Sequence, residues 1–196
     1  MPERERWMDL LQETGALQTG HFLLSSGHHS AHYVQCARVL EHPAHCAALG
    51  RALAGKLPSD VDCVLAAPLG GLLIGYEVAR SLQVPLLFPE RDNTGEYVLR
   101  RGFRIELGAN VGVIEDVITT GRTTRELMQL VRESRGIVRC IGAIIDRSKD
   151  HLLEETRINA LVPLNLPTYR PEACPLCAAG QPIAKPGSRP NPGGAK

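Results

Sequence analysis

Apolar and polar positions follow two different rhythms along this chain. Near the N-terminus Trp7, Leu10 and Leu11 recur among charged residues. That spacing predicts an amphipathic helix over residues 2–14, stopped by Gly15. Residues 21–38 follow, with Tyr33, Val34 and Cys36 in an extended-looking stretch, and residues 42–57 are Ala-rich and helical up to Pro58. After that, short apolar runs bounded by turn residues take over. Residues 61–67, 85–88, 111–114, 137–146 and 158–164 read as buried strands, and residues 72–82 and 123–135 as helices between them. Asn93-Thr94-Gly95 is a turn signal between two polar, β-capable arms, residues 89–92 and 96–105, which predicts a hairpin or long mobile loop. Strands alternating with helices imply an α/β fold with a mainly parallel central sheet flanked by helices. From Gln181 onward Pro, Gly and basic residues dominate and little is left to bury. The expected organisation is one domain over residues 1–180 and a flexible tail over 181–196.

Composition narrows the partners. The 196 residues suit a single domain, and 22 Lys and Arg stand against 21 Asp and Glu. A balance so near zero gives no reason to expect nucleic acid or a membrane surface as partner. No apolar run is long enough to span a bilayer, and the charged start lacks the apolar core of a signal peptide, so a cytoplasmic location is expected. The six cysteines then read as thiols rather than a disulfide framework. Cys174-Pro175-Leu176-Cys177 has metal-ligand spacing, but a structural zinc needs four ligands. Cys36 and Cys46 would supply two more only if the fold brings them close, and an unmetallated thiol pair is the simpler reading. His28, His29, His32, His42 and His45 are scattered and mostly polar-flanked, which favours surface positions, with His28 or His29 candidates for a place near substrate.

The chemistry concentrates in one stretch. Val111-Gly112-Val113-Ile114 runs into Glu115-Asp116, then Val117-Ile118-Thr119-Thr120-Gly121-Arg122, and a helix starts at about Thr123. Ligands of open α/β sheets bind at the carboxyl ends of strands. A helix N-terminus offers unpaired N–H groups and a positive dipole end to a phosphate. Gly121 lets the backbone come close, and the threonines donate hydroxyl hydrogen bonds. The loop can therefore hold a phosphate while Glu115 and Asp116 grip something polar beside it. A plain strand-to-helix turn with Thr123 as cap is the bland alternative. A Walker loop is excluded, because its Gly-Lys-Ser/Thr ending is absent.

The order of these residues resembles the phosphoribosyl pyrophosphate (PRPP) motif of the type I phosphoribosyltransferases. Several further segments resemble the orotate-using members of that family. These are Gly20-His21-Phe22-Leu23-Leu24-Ser25-Ser26-Gly27 with Ser30 and Tyr33, then Phe88-Pro89-Glu90-Arg91 and Arg100-Arg101-Gly102-Phe103, and finally Asp146-Arg147. The tail, Cys174-Pro175-Leu176-Cys177 with Lys185-Pro186-Gly187-Ser188-Arg189, looks like one bacterial subgroup. The resemblance spans residues 11–189. It implies that Glu115 and Asp116 bond the ribose hydroxyls and that Val117, Ile118, Thr119, Thr120, Gly121, Arg122 and Thr123 wrap the 5-phosphate. Gly70 and Gly71, in Ala67-Pro68-Leu69-Gly70-Gly71, would form the pyrophosphate loop. Thr119 and Arg147 would meet orotate, and Arg91 and Arg100 on the hairpin would close over pyrophosphate as catalytic groups. A hood over about residues 1–40 would cover the base. Other members carry lysine at the positions of Ser25 and Gly70.

The implied reaction is a pentosyl transfer. Orotate displaces pyrophosphate from ribose C1 of PRPP, giving orotidine 5'-phosphate for pyrimidine synthesis. Mg2+ is the implied cofactor, bound mainly through PRPP rather than by protein side chains, and a homodimer is the implied assembly. Two other readings share the PRPP loop. One is a phosphoribosyltransferase for another nucleobase. The other is a PRPP-sensing regulator without turnover, which would favour a basic nucleic-acid surface that this near-neutral chain lacks. For Arg147 the alternative is an ion pair with Asp146 or Asp150, and for the hairpin arginines a solvated charged surface.

Overall fold

The structure is a computed structural model and describes residues 2–186. The N-terminal helix α1 (Glu3–Glu13) leads into an antiparallel hairpin of β1 (Leu17–Leu23) and β2 (His29–Val34). A short helix α2 (Ala37–Leu40) and the longer α3 (Pro43–Ala54) follow. The alternating part comprises β3 (Cys63–Ala66), α4 (Gly70–Leu82), β4 (Leu86–Leu87), a small hairpin of β5 (Glu90–Arg91) and β6 (Tyr97–Val98), β7 (Asn110–Ile118), α5 (Arg122–Glu133) and β8 (Ile137–Asp146). The chain ends through β9 (Leu152–Leu153), β10 (Thr156–Pro163), β11 (Thr168–Tyr169), a 3-10 turn (Pro171–Ala173) and a short helix α6 (Pro175–Ala178).

Six strands form the central sheet in the order β4-β3-β7-β8-β10-β9. All pairings are parallel except β9 with β10. Strands buried on both faces read as unbroken apolar runs, which is why β3 and β8 were legible as strands. One face is covered by α1, α3 and α4, where Leu11, Leu49, Leu53, Ile74 and Val78 pack on Ile114, Ile144 and Val162. The other is covered by α5, whose Leu127, Met128 and Val131 meet Leu65, Val113 and Ile141. Fully burying side chains of this size contributes about 1.5–3 kcal/mol each, so the core fixes where the sheet's C-terminal edge lies. No helix among the described residues is long and apolar enough to cross a membrane.

The expected elements appear with two additions and one correction. β7 runs on through the acid pair to Ile118, four residues past the expected end. The hood is a three-stranded antiparallel sheet, β1-β2-β11, closed by a strand from near the C-terminus. The tail does not come loose at Gln181. The Ala184 N–H donates to the His21 carbonyl and the Leu23 N–H to the Ala184 carbonyl, both at 2.8 Å. Backbone pairing, which composition cannot register, holds Ala184 along β1. The rest of the expected tail, 187–196, lies outside the described residues.

Candidate active site

Two strand-to-helix connections meet at the C-terminal edge of the sheet. The first leaves β7. Glu115 is 7% exposed and accepts a hydrogen bond from Thr124 Oγ1 of α5 at 2.9 Å. Its burial raises its pKa from the ordinary 4.5 to about 7, opposed by the Thr124 hydrogen bond and assisted by the neighbouring Asp116 charge. Burial also raises Asp116, against hydrogen bonds from backbone N–H groups that favour its ionised form. Two desolvated carboxylates side by side are costly without a ligand, a common condition of functional sites. Beyond them Val117, Ile118, Thr119, Thr120, Gly121, Arg122, Thr123 and Thr124 line an open cleft with Glu115. α5 starts at its floor, so its first N–H groups lie along the cleft.

Gly121 has φ +71°, and a Cβ there would lie 2.3 Å from Leu153 Cδ2. The left-handed backbone strains any side chain there, and one would also have to displace the Leu153 methyls. Gly121→Ala is expected to cost about 2–4 kcal/mol, from the conformational and overpacking terms together. Urea unfolding of the two proteins measures it, and a loss below half a kcal/mol contradicts it.

The second connection leaves β3. At Leu69 the backbone takes φ 59° and ψ −73°, and the Gly70 N–H bonds back to the Pro68 carbonyl at 3.1 Å. This is a γ-turn of the rare, strained hand, centred on a leucine whose side chain is 88% exposed. Strain held at an exposed residue is a mark of a working loop, and the sequence carried no sign of it. The turn brings Gly70 against the acid pair, where a Cβ at Gly70 would lie 2.5 Å from Asp116 Oδ1. The connection after β3 thus lies directly against the acid pair that ends β7, with the Gly70 N–H turned back to its own loop. Cys36, where the hood passes into α2, is fully buried, and burial with the Asp116 charge raises its thiol pKa.

Arg147 and Thr119, both expected at the base, sit at the ends of adjacent strands. The Arg147 N–H donates to the Ile118 carbonyl at 2.8 Å, placing Arg147 next to Thr119 across the β7–β8 edge. Its Nε is buried without a hydrogen-bond partner, and burial lowers its pKa. The ion pair weighed as the alternative does not form: Asp146 instead accepts from the Ser148 N–H and from His151 Nδ1. A desolvated guanidinium without a carboxylate among the described residues is suited to an anionic ligand.

The predicted hairpin is present, its turn held by Asp92 Oδ1 accepting from the Thr94 and Glu96 N–H groups. Arg91 is occupied: it pairs with Glu126 of α5 at 2.6 Å and lies 3.7 Å over the Tyr97 ring. Arg122, on the cleft, pairs with the same Glu126 at 3.0 Å. Arg101 pairs with Glu90. Arg100 is exposed and has no ion pair among the described residues. The hairpin thus packs beside the loop that opens α5, with Arg100 the hairpin arginine free of an ion pair among the described residues.

The parallel sheet, its central acid-ended strand and the paired loops define a type I phosphoribosyltransferase. The chain belongs to the orotate phosphoribosyltransferase family. It is 47% identical to the orotate phosphoribosyltransferase of Thermotoga maritima over 182 residues, 92% of this chain and 97% of that one. It is 46% identical to the enzyme of that name from Pelotomaculum thermopropionicum, over 95% and 98% of the two chains. Among solved structures, the orotate phosphoribosyltransferase of Aeropyrum pernix superposes with a TM-score of 0.67 at 26% identity, over 80% of this chain and 92% of that one. No family model matches the chain.

Proposed function

We propose that the chain transfers the 5-phosphoribosyl group of PRPP to orotate, releasing pyrophosphate and forming orotidine 5'-phosphate for pyrimidine synthesis. The observation that supports this reading is the one cleft lined by Glu115 and the Thr-Gly loop, with the unpartnered Arg147 at the end of the neighbouring strand. The loop N–H groups and threonine hydroxyls take the 5-phosphate, Glu115 and Asp116 accept from the ribose hydroxyls, and Arg147 with Thr119 orients the orotate carboxylate. Bond breaking at C1 leaves positive charge on the sugar and negative charge on pyrophosphate. Positioning of the two anions and neutralisation of the departing one therefore do most of the catalysis. Arg100 is the hairpin residue placed to meet pyrophosphate, and Arg91 joins it only by leaving Glu126.

The hard oxygen donors here fit Mg2+, which would be carried mainly by PRPP beside Glu115 and Asp116. When bound, the ion supplies positive charge to the pyrophosphate oxygens. A homodimer is supported by Leu69, Leu73 and Tyr76, an exposed apolar stripe at the start of α4. A cytoplasmic place fits a phosphorylated substrate that does not cross membranes unaided. The assay is the fall in orotate absorbance on adding PRPP and Mg2+. Turnover of adenine or hypoxanthine without orotate would move the protein to another nucleobase, and PRPP binding without pyrophosphate release would make it a sensor.

The raised Glu115 pKa sets a pH dependence. Only the ionised carboxylate accepts fully from a hydroxyl, so PRPP binding strengthens as pH rises through about 7. KM for PRPP is expected to fall about tenfold from pH 6 to pH 8, the change in ionised fraction for such a group. Stability moves the opposite way. Between the ordinary 4.5 and about 7 the folded protein keeps a proton that the unfolded chain has released. Raising the pH through that window therefore lowers stability, by up to about 3 kcal/mol. Glu115→Gln should flatten both profiles, and a KM profile unchanged in that variant would remove Glu115 from the ribose.

A further inference from the structure

We infer that His21, His29, Cys174 and Cys177 form a structural zinc site that clamps the C-terminal segment onto the hood. His21 Nε2 lies 3.0 Å from His29 Nδ1, 3.6 Å from Cys174 Sγ and 3.7 Å from Cys177 Sγ, and Cys177 Sγ lies 3.3 Å from His29 Nδ1. All four ligand atoms fall within 4.8 Å of one another. A tetrahedral zinc with bonds of about 2.3 Å to sulfur and 2.0–2.1 Å to nitrogen separates S from N by about 3.6 Å and N from N by about 3.3 Å. The four nitrogen–nitrogen and sulfur–nitrogen distances above lie within about 0.3 Å of these values, and the ion would draw the remaining ligand atoms in.

Hydrogen bonding alone does not account for the cluster. His21 Nδ1 faces the Gln181 carbonyl at 2.9 Å, so it carries the proton and leaves Nε2 a bare lone pair. That single lone pair faces three neighbours at once. One cation at the centre satisfies His21, His29 and both sulfurs together. His21, His29 and Cys174 are all buried, where unmatched polar groups are costly. Two thiolates neutralise a divalent ion, and a His2Cys2 set selects zinc over the hard cations. Four protein ligands leave no open position, so the site is structural and distinct from the Mg2+ of the reaction. Binding releases the two thiol protons.

The location gives the metal its task. Of residues 171–186 only Cys174 is buried, so apolar packing does little to hold this segment. The zinc would fix it against β1 and β2, beside the Ala184 pairing with β1. Residues 24–28 form the tip of that hairpin, in the stretch that covers the base under the proposed function. This last clause rests on that reading; the metal itself does not. Cys36 and Cys46, the partners weighed from sequence, are buried in the core beneath α1 and α3 instead.

The test is metal analysis of the tag-free full chain, purified without chelator. One zinc per chain is expected, together with the intense visible bands of tetrahedral cobalt–thiolate when cobalt replaces it. C174S/C177S should lose the metal at least tenfold, whereas Cys63→Ser, a cysteine of the other core, should keep it. Zinc-free protein that takes up no cobalt would overturn the site whether or not the variants fold. So would undiminished zinc in C174S/C177S, or a Cys174–Cys177 disulfide in the native protein. Each readout is independent of orotate turnover, so failure here is distinguishable from failure of the enzymatic reading.

Discussion

Replacing Asp116 by Asn is expected to lower kcat/KM for PRPP by about 10²–10³-fold, the usual scale for one lost electrostatic contact to a developing charge, while the melting temperature holds or rises. The carboxylate is desolvated, and the Gly70 backbone packs directly against it. Asn has the same size and fits the same space. It replaces an acceptor with an N–H2 donor, which faces ribose hydroxyls that must themselves donate. It also removes the negative charge that offsets the cationic sugar in the transition state. The free protein loses nothing, because a neutral amide is less costly to bury than a carboxylate. Steady-state kinetics and a thermal melt of the same sample separate the two effects. A structural Asp116 would instead show a lowered melting temperature with kinetics nearly intact.

Arg147→Ala is expected to raise KM for orotate by about 30- to 10³-fold, as for truncation of a charged hydrogen-bonding group at about 2–4 kcal/mol. KM for PRPP should change less than threefold. The guanidinium pairs with no carboxylate among the described residues, and burial disfavours its charge. Removing it therefore breaks no intramolecular pair and stability should not fall. Arg147→Lys should restore little, because a point charge does not reproduce two parallel bonds to a carboxylate. Equal losses for both substrates would make Arg147 a structural residue.

How much of this was legible in the sequence depends on how local each feature is. The strands β3, β7 and β8 and the helices between them announce themselves by short apolar runs and periodicity. The acid pair, the threonines and Gly121 are contiguous, and so the cleft they line could be read as one motif. Arg147 and Thr119 were legible one by one, but their adjacency depends on the β7–β8 register. What escaped reading is non-local. β11 closes the hood from residues far downstream of β1 and β2. Ala184 is held by backbone pairing with β1 and the Gln181 carbonyl by the His21 ring, neither of which leaves a compositional trace. The Cys-x-x-Cys spacing was visible, but His21 and His29 lie on a hairpin distant in sequence, and nothing around them marks them as its partners. Arg91 read as a free loop cation, and Glu126 on α5 engages it. The strain at Leu69 is a backbone property that a leucine does not advertise.

The most direct measurement is a crystal structure of the protein soaked with PRPP and Mg2+. The 5-phosphate should lie among the N–H groups of residues 119–123, with the ribose hydroxyls within about 3 Å of the Glu115 and Asp116 carboxylates. Density for PRPP elsewhere, with this cleft holding only solvent, would contradict the account.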